Sequence, residues 1–116
     1  MSQEKIGQLI LRLGLAGVYL WFGVNQLMDG SKWVKVVPEW ATSLSGLTAP
    51  TIVMMNGILE VVLGILLALG FWMVPVAVIL ALHLFVIASG FGLTPVGVRD
   101  YGLAVATLSL AFLGRR

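Results

Sequence analysis

The sequence contains no cysteine, so it forms no disulfide, runs no thiol redox cycle, and carries neither a cysteine-ligated cluster nor a covalently attached c-type haem. It has one histidine, which excludes bis-histidine haem ligation, and no HxxxH or ExxH spacing accompanies it, so no metal set is expected. Charge is scarce too. Charged residues make up 10% of the chain, and seven basic side chains against five acidic ones leave a net charge of +2. That is no nucleic-acid footprint, so this partner class is set aside.

What the sequence has instead is apolar surface. Hydrophobic residues are 59% of its 116 positions and the mean hydropathy is +1.05, well outside the range of soluble domains. The fold class that follows is all-α: a polytopic membrane protein of one domain, a four-transmembrane-helix bundle whose first partner is the lipid bilayer. Four apolar runs, at about 5–28, 50–69, 71–90 and 95–114, are each long enough at about 1.5 Å per residue to cross a hydrocarbon core of roughly 30 Å. The first run is too long for a signal-peptide core and lacks a small-residue cleavage site, so it is expected to remain as the first membrane helix. Thr48 with Pro50 opens the second, Gly70 stops it, and Thr94 with Pro95 extends the fourth to crossing length.

Between the first two spans lies a long loop, 29–49, whose Trp33 and Trp40 beside Lys32 and Lys35 have the composition of interfacial anchors. The same aromatic loop would also serve as a lid. Lys5, Arg115 and Arg116 gather at one end of the spans against Lys32 and Lys35 at the other, so the positive-inside rule puts both termini in the cytoplasm. The expected location is a prokaryotic cytoplasmic membrane.

The second span is organised around Asn56-Gly57-Ile58-Leu59-Glu60-Val61-Val62-Leu63-Gly64, which puts a carboxylate mid-membrane. A charge there costs roughly 2.5–3.5 kcal/mol on insertion scales, so Glu60 must face protein or a cavity and find a partner. Inward faces recur at helical spacing: Arg12, Ala16, Tyr19, Gly23 and Gln26 on the first helix, Asn56, Glu60, Gly64 and Leu67 on the second, and Asp100, Ala104, Thr107, Ala111 and Gly114 on the fourth. Counting from the cytoplasmic end gives heights of about 10 Å for Arg12, about 14 Å for Glu60 and about 18–21 Å for His83, Asn56 and Asp100. From these heights Arg12 and Glu60 are expected to form a structural ion pair, with Asn56, His83, Arg99 and Asp100 clustered above it.

Two readings of this column follow. In one it is a hydrogen-bonded network that fixes helix register; in the other it lines a polar cavity in which Asn56, Glu60, His83, Arg99 and Asp100 bind a ligand or relay protons. If a ligand site exists, it is expected on the non-cytoplasmic half, between Asn56, His83 and Asp100 and under the 33–40 loop, with Trp21, Phe22 and Tyr101 as apolar walls. No catalytic residue is assigned.

Several of these residues carry a resemblance. Arg12 early in the first helix, Phe22-Gly23 with Gln26 near its end, Gly57-x-x-Glu60-x-x-x-Gly64 with Gly70, and Arg99-Asp100 opening the fourth helix make the chain similar to the DoxX-like family of small four-helix membrane proteins. One departure is Gln26, where such proteins are expected to carry a basic residue. The resemblance implies a four-helix bundle and an association with membrane oxidoreductases, since family members include subunits linked to thiosulfate oxidation with quinone as acceptor. It thereby implies a quinone as cofactor, although no residue pattern shows one, with His83 and Asp100 hydrogen-bonding its carbonyls and Glu60 as relay. It also implies a soluble or membrane redox protein as partner, and a homo-oligomer is open. The alternatives are a small transporter, resembling the small multidrug resistance family in size but lacking that family's carboxylate in the first helix, and a structural scaffold subunit of a larger membrane complex.

Overall fold

The structure, a computed structural model, describes residues 2–113; Gly114, Arg115 and Arg116, used above for the last inward face and for topology, lie outside the described residues. Helix α1, Gln3–Met28, starts where the Ser2 hydroxyl accepts from the Lys5 amide at 3.2 Å. The following loop is folded. Two 3-10 turns, Gly30–Lys32 and Val34–Val36, lead into a short helix α2, Glu39–Ser45, closed by Gly46 at φ +73°. Lys32 binds Asp29 at 2.9 Å, and that hydrogen bond together with the carboxylate charge holds the ammonium pKa above its ordinary value.

The remaining helices are α3 (Ala49–Leu69), α4 (Met73–Phe91) and α5 (Pro95–Leu113). Thr48 caps α3, with its hydroxyl accepting from the Thr51 amide, and Thr94 caps α5 by accepting from the Gly97 amide at 3.1 Å. These caps satisfy orphan N–H groups that hydrocarbon would leave unpaired. Gly70 ends α3 at φ +81°, the left-handed conformation that glycine adopts without Cβ strain, and α4 follows after a tight turn. Helices α1, α3, α4 and α5 are long and apolar enough to cross a membrane, and they carry Ile10, Ile58, Leu82 and Val105 on the outside, where lipid replaces water. The protein is therefore an integral four-helix membrane bundle.

Packing is paired: α1 lies chiefly on α3 and α4 on α5, and the two pairs meet more loosely. Glycines set the first pairing. A Cβ on Gly23 would sit 3.0 Å from the Gly57 carbonyl oxygen, one on Gly57 would sit 3.1 Å from the Gly23 carbonyl oxygen, and one on Gly64 would meet Leu20 at 3.1 Å. Small residues thus let the two backbones approach, as membrane helices do without a hydrophobic drive between them. Their antiparallel register runs from Leu27 beside Gly57, through Leu20 beside Gly64, to Arg12 beside Gly70.

In the half of the bundle near the termini the pairs close over an apolar core of Leu15, Leu67, Val76, Leu80, Leu110 and Ala111. At the opposite half, under the folded loop, the core is polar.

Candidate functional site

On α3, Asn56 and Glu60 stand one turn apart and face inward. The Asn56 amide nitrogen donates to Glu60 Oε1 at 3.0 Å and to Gln26 Oε1 of α1 at 2.6 Å. Glu60 is 3% exposed, and His83 Nε2 of α4 lies 3.4 Å from its Oε1, an ion pair whenever the imidazole is protonated. That Nε2 is buried and makes no hydrogen bond. On α5, Asp100 is 5% exposed, and its Oδ1 accepts from Arg99 Nε at 3.2 Å. Arg99 is half exposed, with its guanidinium over the Phe22 ring, 5.5 Å from the centroid.

Below this group the Tyr19 and Thr107 hydroxyls are 2.9 Å apart, and Thr107 donates to the Leu103 carbonyl at 2.8 Å. Thr107 has one hydroxyl proton and spends it on Leu103, so Tyr19 donates to Thr107. Both side chains are buried. They form a polar floor above the apolar core.

Between floor and loop lies a cavity of about 580 Å³. Its polar lining is Tyr19, Gln26, Asn56, Glu60, His83, Arg99 and Asp100; apolar walls come from Phe22, Leu84, Ile87 and Phe91, and Trp33 and Trp40 roof it. Phe22 meets Trp33 edge-on at 5.6 Å and Trp21 at 5.1 Å, tying α1 to the loop. Trp21 and Val86 line the cavity and are also exposed on the outside of the bundle, so the cavity reaches the lipid-facing surface. Mostly apolar walls with a few convergent polar groups are the usual make-up of a small-molecule site. Among the described residues no group of three His, Cys, Asp or Glu is placed to hold a metal ion.

The structure brings Asn56, Glu60, His83, Arg99 and Asp100 onto one cavity, beneath Trp33 and Trp40. It does not pair Arg12 with Glu60. Arg12 lies against Gly70, where a Cβ would be 2.7 Å from its Nη1, while the ion pairs among the described residues join Lys32 to Asp29, His83 to Glu60 and Arg99 to Asp100. The register explains this correction: Arg12 is level with the end of α3, ten residues or about 15 Å from Glu60, beyond side-chain reach. At that end the cation faces the carbonyl terminus of a helix, a favourable place for it. Tyr101 is no cavity wall either; it packs against Phe85 at 6.2 Å.

Two contributors were visible only as members of inward faces. Tyr19 and Thr107 carried the right spacing but no sign that they would bond each other across α1 and α5. Gln26 stood out as a departure from a family pattern, and its actual task is to accept from Asn56.

Compared with known proteins, residues 7–94 match the DoxX family model. The match runs from the first turns of α1 through α4 and ends just before α5, so Arg99 and Asp100 fall outside it. No curated protein and no solved structure matches the chain.

Proposed function

This chain belongs to the DoxX family, and on that premise we propose that it is a membrane subunit that binds a lipid-soluble ring compound of the quinone class in the cavity between its helix pairs. The observation that carries this reading is the cavity itself: about 580 Å³, walled by aromatic and aliphatic side chains, with two buried carboxylates and, beside one of them, an imidazole nitrogen that makes no hydrogen bond. A packed register network would leave no such volume. The ring lies between Phe22 and Leu84, its oxygen substituents meet the Glu60–His83 pair and Asp100, and the opening past Trp21 and Val86 admits it from the bilayer.

The apolar core between the Tyr19–Thr107 floor and the terminal end of the bundle favours a site open to one side over a transport path, so the transporter reading ranks second. With the termini cytoplasmic, the site faces the opposite side. Electrons are exchanged with a partner oxidoreductase, soluble or membrane-bound.

The test is a titration of the purified Trp72→Phe protein with a short-chain quinone, followed by the fluorescence of the three remaining tryptophans, Trp21, Trp33 and Trp40, all of which line the cavity. Saturable quenching that is lost in His83→Ala supports ligand binding. Quenching that rises linearly with quinone and is the same in both proteins leaves only the scaffold role.

A further inference from the structure

We infer that the site prefers the reduced, hydroxyl-bearing form of its ligand, a quinol or similar phenol, over the carbonyl form. The inference rests on the reading of the cavity as a ligand site and follows from which hydrogen-bonding groups the protein leaves unused. Asn56 spends both amide protons, on Gln26 and on Glu60. Its orientation is not arbitrary, since a flipped amide would aim its oxygen at the Glu60 carboxylate. Among the described residues no hydrogen bond engages Asn56 Oδ1, Glu60 Oε2 or Asp100 Oδ2, and the Tyr19 oxygen, having donated its proton to Thr107, is left as an acceptor. All four residues line the cavity.

Free acceptors therefore outweigh free donors in the depth of the site. On the donor side stand the Gln26 amide and the outer nitrogens of Arg99, the latter half exposed, while His83 Nε2 faces Glu60 Oε1 at 3.4 Å. What decides the preference is the cost of displacing water. A carboxylate that loses water and gains no donor is far more costly than an amide in the same position. When a ring ligand enters, Glu60 Oε2 and Asp100 Oδ2 are the groups that must be re-paired. A phenolic hydroxyl restores the lost hydrogen bond in charge-assisted form; a quinone carbonyl presents a second lone pair to the carboxylate.

The experiment compares three ligands with the same ring and tail under anaerobic conditions by isothermal calorimetry: the quinol, its dimethyl ether and the quinone. The quinol is expected to bind at least about tenfold more tightly than either, the size of one charge-assisted hydrogen bond. Equal affinity of all three, or tighter binding of the quinone, overturns the preference while leaving the cavity as a ligand site. Binding by none overturns the ligand reading and this inference with it. A second readout is Glu60→Gln with Asp100→Asn, in which amide donors replace carboxylate oxygens: the preference is expected to swing towards the quinone, a reversal that general loss of packing would not produce. A double variant that binds all three ligands more weakly by the same factor counts against the assigned acceptors.

Discussion

Replacing Gly23 by alanine tests the contact that positions the site. The added Cβ would meet Val61 Cγ2 at 2.8 Å, the Gly57 carbonyl oxygen at 3.0 Å and the Val61 amide nitrogen at 3.0 Å. Two of these three are backbone atoms, so relief requires α1 to move off α3 rather than a rotamer change. Overpacking of this kind costs typically about 1–3 kcal/mol. Gly14 is the internal control, since a Cβ there meets nothing within 4 Å and the intrinsic gain of about 0.5–1 kcal/mol for Gly→Ala in a helix is shared by both variants. The difference between them is then the packing term alone, roughly 5- to 150-fold in the unfolding equilibrium. Reversible unfolding in mixed micelles with increasing SDS, followed by circular dichroism, measures it. Adding Val61→Ala should rescue Gly23→Ala only in part, because the Gly57 carbonyl remains. Since Gly23 lies one turn from Gln26, the same displacement should loosen the Gln26–Asn56 bond. Equal stability of Gly23→Ala and Gly14→Ala would refute the close approach.

Three further sets of substitutions separate the remaining contacts. Glu60→Leu should cost about 1–3 kcal/mol by leaving an Asn56 amide proton without its acceptor, and double-mutant cycles in the same unfolding assay should show coupling with Asn56→Leu but simple addition, within about 0.5 kcal/mol, with Arg12→Leu; coupling to Arg12 instead would contradict the register. Arg12→Leu alone should cost about 0.3–2 kcal/mol as a lost charge at a helix C-terminus, and Arg12→Lys should retain most of it; equal loss in both would count against an electrostatic role at the end of α3. Tyr19→Phe should cost about 0.6 kcal/mol, as an average interhelical hydrogen bond in a membrane does, whereas Thr107→Val strands the Tyr19 donor and should cost about 1–3 kcal/mol; the reverse order would mean that Thr107 is the donor.

The helices and their inward faces were legible because helical periodicity survives in an apolar sequence wherever small or polar residues recur on one side. Tyr19, Gly23 and Gln26 on α1, Glu60 and Gly64 on α3, and Asp100 and Thr107 on α5 are all buried. The relative heights of the helices were not legible. Counting from the ends treats all spans as starting level, but α1 begins earlier than its neighbours, so that Gln8 already reaches the Leu113 carbonyl at 2.9 Å and Arg12 meets the α3–α4 turn. That offset is fixed by the Gly23–Gly57 and Leu20–Gly64 contacts, whose pairing is a property of two surfaces and not of either sequence alone. The same holds for hydrogen-bond direction. Which amide proton Asn56 gives to Glu60, and which hydroxyl donates between Tyr19 and Thr107, depends on neighbours brought together only by folding.

The central claim, that the cavity under the Trp33–Trp40 segment holds a ring ligand, is tested most directly by photolabelling with an azido-substituted quinol analogue and mapping the modified residues by mass spectrometry. Labels are expected on Trp33, Val37, Trp40 and Ala41 and on Leu84, Val86 and Ile87, residues that border the cavity, and an excess of the unsubstituted quinol should remove them. Labels confined to lipid-facing positions such as Ile10, Met54 and Phe112, insensitive to competitor, would contradict it.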